Sequence, residues 1–450
     1  MSHTIVNDSM SVSHQEAATA SSSSNLKVMQ VCTSAFRGGA GKAAYRLHRA
    51  LPAEGVSSRM MVAQRFSRDE ETLEYNPIAP APAALGRFFF RAVRRWHRPS
   101  FRKAGAYFTL DRTPIGLRLP SQLPPCDVAN LHWVADLFDY GTLPKLTQRV
   151  PLVWTFHDMN VFTGGCHYTG SCERYTAQCG KCPQLKTSKG ENDMTRQVMN
   201  RKLAIMEKIH PARVTIVCPS QWLANEVERS LLCKRFNVHV IPNGIELEDF
   251  YPVEKTEARR RLDLPATAKI VLFVAENLSD PRKGFASFID TIGIARDIPD
   301  LLILTLGRGV NSQLTGPAFR HLGELHDLET LRTAYSAADV FANTSLQDNL
   351  PNTILESMAC GTPVAGFQTG GIGEAVRDGH TGLLAPIGNT AALARAMLQI
   401  LTNAELRQIF SNASRHRVEH EYTTKLQAAR YAKLYQKTVW LNQSLNPTPM

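Results

Sequence analysis

From Leu26 onward the chain repeats one pattern, a short apolar run followed by a longer amphipathic stretch. Apolar runs without polar alternation are strands buried on both faces, and the amphipathic stretches between them are the helices that bury them. The pattern predicts an α/β fold built on parallel sheets. Strands are expected at 26–32, 128–132, 152–156, 214–218 and 238–241. Pro242-Asn243-Gly244 then stops the series, because Gly and Asn tolerate positive φ and Pro closes the strand before it. A polar linker, 246–255, leads into a second series, with strands expected at 269–275, 301–306, 340–343 and 363–366 and helices at 329–338 and 350–359. A chain of 450 residues exceeds one compact core. Two Rossmann-like domains facing across a cleft are the expected architecture, with ligands outside the carboxyl ends of the strands. The boundaries read as a disordered tail at 1–25, a first domain at 26–248, a second at 249–420, and a helix in 421–450 that packs back on the first domain before a final tail.

Composition narrows the class further. The longest apolar runs, such as 270–275, fall far short of the roughly 20 residues of a membrane-spanning helix. The Ser- and Ala-rich start has no charged segment followed by an apolar run, so no secretory signal is expected. Nine cysteines, an odd number, point to a reducing compartment, and the cytoplasm is the expected location. A net charge of +11 calls for an anionic partner without choosing among nucleic acid, phosphorylated substrate and acidic lipid.

The chemistry concentrates in Ser345-Leu346-Gln347-Asp348-Asn349-Leu350-Pro351-Asn352-Thr353-Ile354-Leu355-Glu356-Ser357-Met358-Ala359-Cys360-Gly361. Asn349 reads as an N-cap, Pro351 suits a first helical turn and Gly361 suits the position past the end. The start of such a helix carries open N–H groups and about half a positive charge, which favours an anion such as a diphosphate. Glu356 falls roughly 8 Å into the helix at 1.5 Å per residue, and Asp348 sits in the loop before it. Two acids thus flank an anion site.

This segment resembles the retaining glycosyltransferases of family 4, which have the GT-B fold and are marked by two acids spaced E-x7-E; Asp348 and Glu356 stand at that spacing, with Asp in the first place. The resemblance runs from Leu26 to about Tyr422. It includes Ile241 to Ile245 with Asp249-Phe250-Tyr251-Pro252 as the interdomain hinge, and Gly370-Gly371-Ile372-Gly373-Glu374 as a loop closing the pocket. It implies that Asp348 contacts donor-sugar hydroxyls, that Glu356 holds the ribose, and that N–H groups near Asn349, Leu350 and Thr353 meet sugar and phosphate, with Gly371 nearby. Arg282 and Lys283 fall where the family binds the diphosphate, although the family's usual Arg, five residues before the Lys, is Leu278 here. On the facing domain, the Gly-rich turn Arg37-Gly38-Gly39-Ala40-Gly41-Lys42 forms the cleft lip through Gly39, and His157 contacts the donor sugar. The turn does not match a Walker A loop, since Ala43 replaces the magnesium-binding Ser or Thr.

The expected activity is hexosyl transfer from a UDP- or GDP-sugar to a saccharide acceptor, with no cofactor in the chemistry and no nucleic-acid partner. A sugar-nucleotide epimerase on the same fold is the alternative enzyme, and a zinc-dependent nucleic-acid binder leaves the acid-bearing segment unexplained. Cys166, Cys172, Cys179 and Cys182, with His167, supply ligands enough for a structural zinc; free or redox-paired thiols are the other reading. The Cys-rich insertion at 166–182 resembles a bacterial exopolysaccharide, colanic-acid-type subgroup and is expected to shape the acceptor pocket. Between Gly86 and Tyr107, cations from Arg87 to Lys103 alternate with aromatics, which suits either peripheral contact with acidic lipid, at the inner face of the plasma membrane, or a cationic surface helix packed by its rings. Lipid contact fits a lipid-linked acceptor.

Overall fold

The computed structural model describes residues 26–66, 69–96, 103, 106–187, 190–295, 297–309, 319–325 and 327–445. The expected tails at 1–25 and after 445, and Arg98, Phe101 and Arg102, lie outside them.

The first sheet has seven parallel strands, β1 (Leu26–Ser34), β2 (Val56–Gln64), β3 (Thr72–Glu74), β4 (Val128–Leu131), β5 (Leu152–Thr155), β6 (Val214–Cys218) and β7 (Asn237–Val240). Their order is β3-β2-β1-β4-β5-β6-β7. The second sheet has six, β8 (Lys269–Asn277), β9 (Leu301–Arg308), β10 (Phe319–His321), β11 (Val340–Asn343), β12 (Val364–Gln368) and β13 (Gly382–Pro386), in the order β10-β9-β8-β11-β12-β13. Both are doubly wound, and the winding reverses between β1 and β4 and between β8 and β11, where ligands of such sheets bind. Every residue of β4, β5, β6 and β11 is buried, the state their unbroken apolar runs require.

Four strands carry no run-length signal. β2 opens Val-Ser-Ser-Arg before its apolar half, β3 and β10 have three residues each, and β13 is an edge strand bounded by Gly and Pro. One helix boundary also differs from expectation. The helix after β11 spans Asn352–Ala359 with Pro351, not Asn349, at its N-cap, and Pro351 has no side chain to cap with.

The chain leaves the first domain and returns to it along a shared path. Ile245 N–H donates to Tyr422 O (2.8 Å) and Thr424 N–H to Ile245 O (3.2 Å). The helix Thr424–Leu445 then lays Ala428, Tyr431, Leu434 and Tyr435 on Val28, Val128, Val153 and Val217 of the first sheet. Each buried apolar side chain there contributes on the order of 2 kcal/mol. The two tyrosine hydroxyls are paired as burial demands: Tyr435 Oη with Gln30 Nε2 (3.2 Å) and Asn130 Nδ2 (2.7 Å), Tyr431 Oη with Thr155 Oγ1 (2.9 Å).

The helix Ala83–Trp96 turns Phe90 and Val93 inward and leaves Leu85 and Phe88 exposed, at 54% and 66%. Arg87 pairs with Glu74 (3.0 Å) and Arg94 with Asp136 (3.1 Å), while Arg91 and Arg95 face outward. Among the described residues no helix is long and apolar enough to cross a membrane.

Candidate functional site

At the switch point of the second sheet, the loops after β8 and β11 are stitched together. Asp280 caps the short turn Pro281–Lys283 by accepting from Arg282 N–H (3.0 Å). Leu346 N–H donates to Arg282 O (2.8 Å), and Thr344 Oγ1 donates to Gly284 O (2.9 Å). This contact requires glycine at 284, where φ is +70° and an added Cβ would stand 1.8 Å from Thr344 O.

The stitching delivers two cations to one carboxylate. Lys283 Nζ lies 2.5 Å and Arg282 Nη1 3.1 Å from Asp348 Oδ2, and Ser345 Oγ adds a longer bond to the same oxygen (3.4 Å). Burial alone would raise the pKa of Asp348, but Lys283 and Arg282 outweigh it and hold the carboxyl well below the usual carboxylate range. Burial likewise opposes the charge on Arg282, and Asp348 more than restores it. Leu278, which occupies the place of the family's usual Arg, is a core residue at 3% exposure. The second cation beside Asp348 is Arg282.

The helix Asn352–Ala359 opens beside this group. Among the described residues, the N–H groups of Leu350 and Thr353 have no protein acceptor, whereas that of Asn349 turns to Asp348 Oδ1 (3.1 Å). The side chain of Asn349 crosses the cleft, accepting from Ser220 Oγ (2.5 Å) and donating to His157 O (3.3 Å). Asn349 is therefore an interdomain contact rather than a helix cap. Gly371 also differs from a bare ligand-binding backbone. Its N–H is given to Asp348 O (3.1 Å), and a Cβ there would meet Asn349 O at 2.0 Å, so it lies directly beneath the loop.

Glu356 is buried with both oxygens engaged, Oε1 by Arg46 Nη2 of the facing domain (3.1 Å) and Oε2 by Tyr335 Oη (3.0 Å). Arg46 also pairs with Glu246 (2.7 Å), and its buried Nη1 has no hydrogen-bond partner among the described residues. Gly39, on the opposite lip, accepts from Asn352 Nδ2 (3.0 Å). Glu374 of the Gly370 loop reaches over as well, accepting from the N–H groups of Gln221 and Trp222 at 2.7 Å each and so capping the helix Gln221–Arg229.

His157 stands at the end of β5, its Nε2 3.1 Å from His132 Nδ1; His132 Nε2 is 2.7 Å from Gln30 Oε1. Burial lowers the pKa of His157 to about 4 and that of His132 well below its ordinary value. His157 is a neutral imidazole at neutral pH, fit for hydrogen bonding and not for proton donation as an imidazolium.

Cys166, Cys172, Cys179 and Cys182 line one pocket together with Tyr175 and Thr195. All four are free thiols, and burial pushes Cys179 up to about 11 and raises Cys166 and Cys182. The donor set suits zinc. Its placement does not: among the described residues no three His, Cys, Asp or Glu side chains are arranged to hold one ion. His167 is engaged elsewhere, through Nδ1 with Asp158 Oδ2 (2.6 Å) and through Nε2 with Thr109 Oγ1. The insertion also reaches the acid-bearing loop. Tyr168 Oη donates to Asp348 Oδ1 (3.3 Å) and Gly170 N–H to Gln347 Oε1 (2.8 Å), so it packs against the switch point of the second sheet.

Arg46, Tyr335, Ser220, His132 and Tyr168 carry no signal of this role in sequence. Arg46 and Glu356, for example, are 310 residues apart. The contacts assemble a polar cleft with an anion site on one wall and a neutral imidazole on the other.

Residues 37–249 match the family model Glycosyltransferase Family 4, and residues 268–403 match Glycosyl transferases group 1. The chain is similar to phosphatidyl-myo-inositol mannosyltransferase of Mycobacterium leprae, 29% identical over 204 residues, 44% of this chain and 52% of that protein. It thus spans about half the length of such curated relatives. A longer match, 29% over 363 residues, covers 74% of this chain and 78% of the D-inositol 3-phosphate glycosyltransferase of Thermobispora bispora. In fold it is similar to sucrose-phosphate synthase from Thermosynechococcus elongatus, with TM-score 0.64, 21% identity, and 92% of this chain and 98% of that one covered. The Anabaena protein Alr3699/HepE, solved with UDP and glucose, aligns at TM-score 0.61 and 15% identity over 92% of this chain and 100% of its own.

Proposed function

We propose that the chain, whose two domains match the models Glycosyltransferase Family 4 and Glycosyl transferases group 1, is a glycosyltransferase that moves a hexosyl group, with retention of configuration, from a nucleoside diphosphate donor to a saccharide acceptor. The observation that carries this reading is the buried Asp348 carboxylate held by Lys283 and Arg282 at the switch point, beside a helix start with open N–H groups. In this reading the diphosphate lies against the N–H groups of Leu350 and Thr353, and Arg282 and Lys283 turn to it. Asp348 then accepts from sugar hydroxyls, Glu356 accepts from the ribose, and His157 hydrogen-bonds to the sugar from the opposite wall. Negative charge builds on the leaving diphosphate as the glycosidic bond breaks, which is where two preorganised cations and a helix N-terminus act most strongly. The acceptor hydroxyl attacks from the same face and passes its proton to the departing phosphate oxygen, so the scheme uses no protein base.

We take the donor to be a UDP- or GDP-sugar and the acceptor to be a lipid-linked saccharide of exopolysaccharide synthesis, reached at the cytoplasmic face of a membrane. Two features support the lipid: the exposed Leu85, Phe88, Arg91 and Arg95 on one helix, and relatives named for phosphatidyl-myo-inositol. The chemistry draws on no cofactor. A zinc gathered by Cys166, Cys172, Cys179 and Cys182 would be structural and would require the thiols to draw together from their present arrangement; metal analysis of the purified protein decides it: one zinc per chain supports the clip, and none refutes it.

A thermal-shift screen with UDP-, GDP- and ADP-sugars tests the donor reading. One class is expected to raise the melting temperature, and Glu356→Ala to abolish the rise. A rise that survives Glu356→Ala refutes the ribose assignment, and no rise with any donor refutes the reading as a whole. The anomeric configuration of the product, read by NMR, tests retention.

A further inference from the structure

The loop that carries the four thiols places one aromatic residue against both signs of charge in the donor site. Tyr168 Oη donates to Asp348 Oδ1 at 3.3 Å, and the guanidinium of Arg282 lies over the Tyr168 ring, 4.4 Å from its centroid. Burial, with Asp348 adjacent, raises the hydroxyl pKa well above its ordinary value, so the group remains a donor. Three anchors fix its position. His167, the preceding residue, is pinned by Asp158 (2.6 Å), Gln184 Nε2 donates to Tyr168 O (2.6 Å), and Gly170 N–H donates to Gln347 Oε1 (2.8 Å).

We propose that Tyr168 is a specificity residue of the donor-sugar subsite, presented there by the cysteine-rich loop; this inference rests on the nucleotide-sugar reading above. The two ends of the residue have separate tasks. The hydroxyl covers the Oδ1 edge of Asp348 while the cations hold Oδ2, so a sugar hydroxyl that donates to Oδ1 comes within reach of the Tyr168 hydroxyl, which turns from the carboxylate and donates to the sugar oxygen. At 3.3 Å that bond is longer than the roughly 2.7 Å preferred between hydroxyl and carboxylate oxygens, which leaves room for such an exchange. The ring stacks on Arg282 and fixes the plane of the guanidinium toward the diphosphate.

The test compares bare and sugar-bearing nucleotides on the full chain by calorimetric titration, using UDP against UDP-glucose and UDP-galactose, and GDP against GDP-mannose. Tyr168→Phe keeps the ring, so affinity for the bare diphosphate that the wild type prefers should stay within about twofold. Its sugar-bearing form should bind about tenfold more weakly, the scale of one hydrogen bond to a charged group, with reduced discrimination between the C4 epimers if the uridine pair is the one bound. Tyr168→Ala also removes the stack and should weaken the bare diphosphate too. If Tyr168→Ala does not fold, the Phe variant decides alone. Unchanged affinities in Tyr168→Phe, or equal weakening of bare and sugar-bearing forms, overturn the assignment. A wild-type chain that binds none of these nucleotides overturns the parent reading, which is a different result.

Discussion

Asp348→Asn removes one charge at the centre of the donor site with almost no change of volume. In the native chain Oδ2 receives Lys283 (2.5 Å), Arg282 (3.1 Å) and Ser345 (3.4 Å), and Oδ1 receives Asn349 N–H (3.1 Å) and Tyr168 (3.3 Å). An amide has one oxygen, so whichever way it turns, its NH2 faces donors. Charge-assisted bonds contribute about 1.5–3 kcal/mol each. The side chains of Lys283 and Arg282 are 22% and 25% exposed and recover part of that from water. A net loss of about 2 kcal/mol at pH 7 follows, or roughly 4–8 °C in melting temperature for a domain of this size. Because the folded-state pKa of Asp348 is depressed, its stabilisation is present above the unfolded carboxyl value of about 3.9 and fades as pH falls through the depressed value. The gap between wild type and variant in scanning calorimetry should therefore narrow below about pH 4. Binding should separate in parallel: bare UDP or GDP retains its affinity, because the two cations persist, while kcat/KM for the sugar donor falls about a hundredfold, near 2.7 kcal/mol. Equal melting temperatures at pH 7 with unchanged kcat/KM would show that Asp348 neither anchors the cations nor meets the sugar.

Three further outcomes follow, two from His157 and one from the helix Ala83–Trp96. His157, with a pKa of about 4, should contribute no limb to the kcat/KM profile near pH 6.5; a limb there that His157→Asn abolishes would contradict a neutral imidazole. Since its folded pKa lies below the unfolded one, the unfolded chain takes up the proton first, so stability should fall with acid between about 6.5 and 4, and His157→Asn should flatten that slope. On the outward helix, Arg91→Gln with Arg95→Gln should weaken sedimentation with phosphatidylserine vesicles about thirtyfold, from about 1 kcal/mol per cation near an acidic surface; unchanged sedimentation would refute lipid contact through this face.

Much of the architecture was legible in the sequence because its causes are local. A strand buried on both faces needs an unbroken apolar run, so β1, β4 to β6, β8, β9, β11 and β12 show themselves, the edge strand β7 is marked by its two valines, and Pro242-Asn243-Gly244 marks the end of the first series by turn chemistry alone. Arg282, Lys283, Asp348 and Glu356 were legible as well, since they sit at strand ends and a helix start whose spacing is written along the chain. The partners of those residues were not. Arg46 for Glu356, Ser220 for Asn349 and Tyr168 for Asp348 come from the facing domain, 310, 129 and 180 residues away, and nothing in a run of neighbours encodes which distant side chain will meet them. Tertiary structure also reassigned what the local pattern named. Asn349 has capping chemistry in sequence, but it is held across the cleft by Ser220 and His157, and the helix starts after it. The four cysteines have ligand spacing, but they line one pocket where, among the described residues, no three ligand side chains are arranged for one ion, on a loop that also carries the half-buried Tyr168. Sequence by itself determined the two sheets and the charged groups at their switch points, because burial and capping act within a few residues. Only the closing of one domain on the other decided which of those groups are paired and which N–H groups stay open, because that depends on contacts between surfaces that the chain specifies hundreds of residues apart.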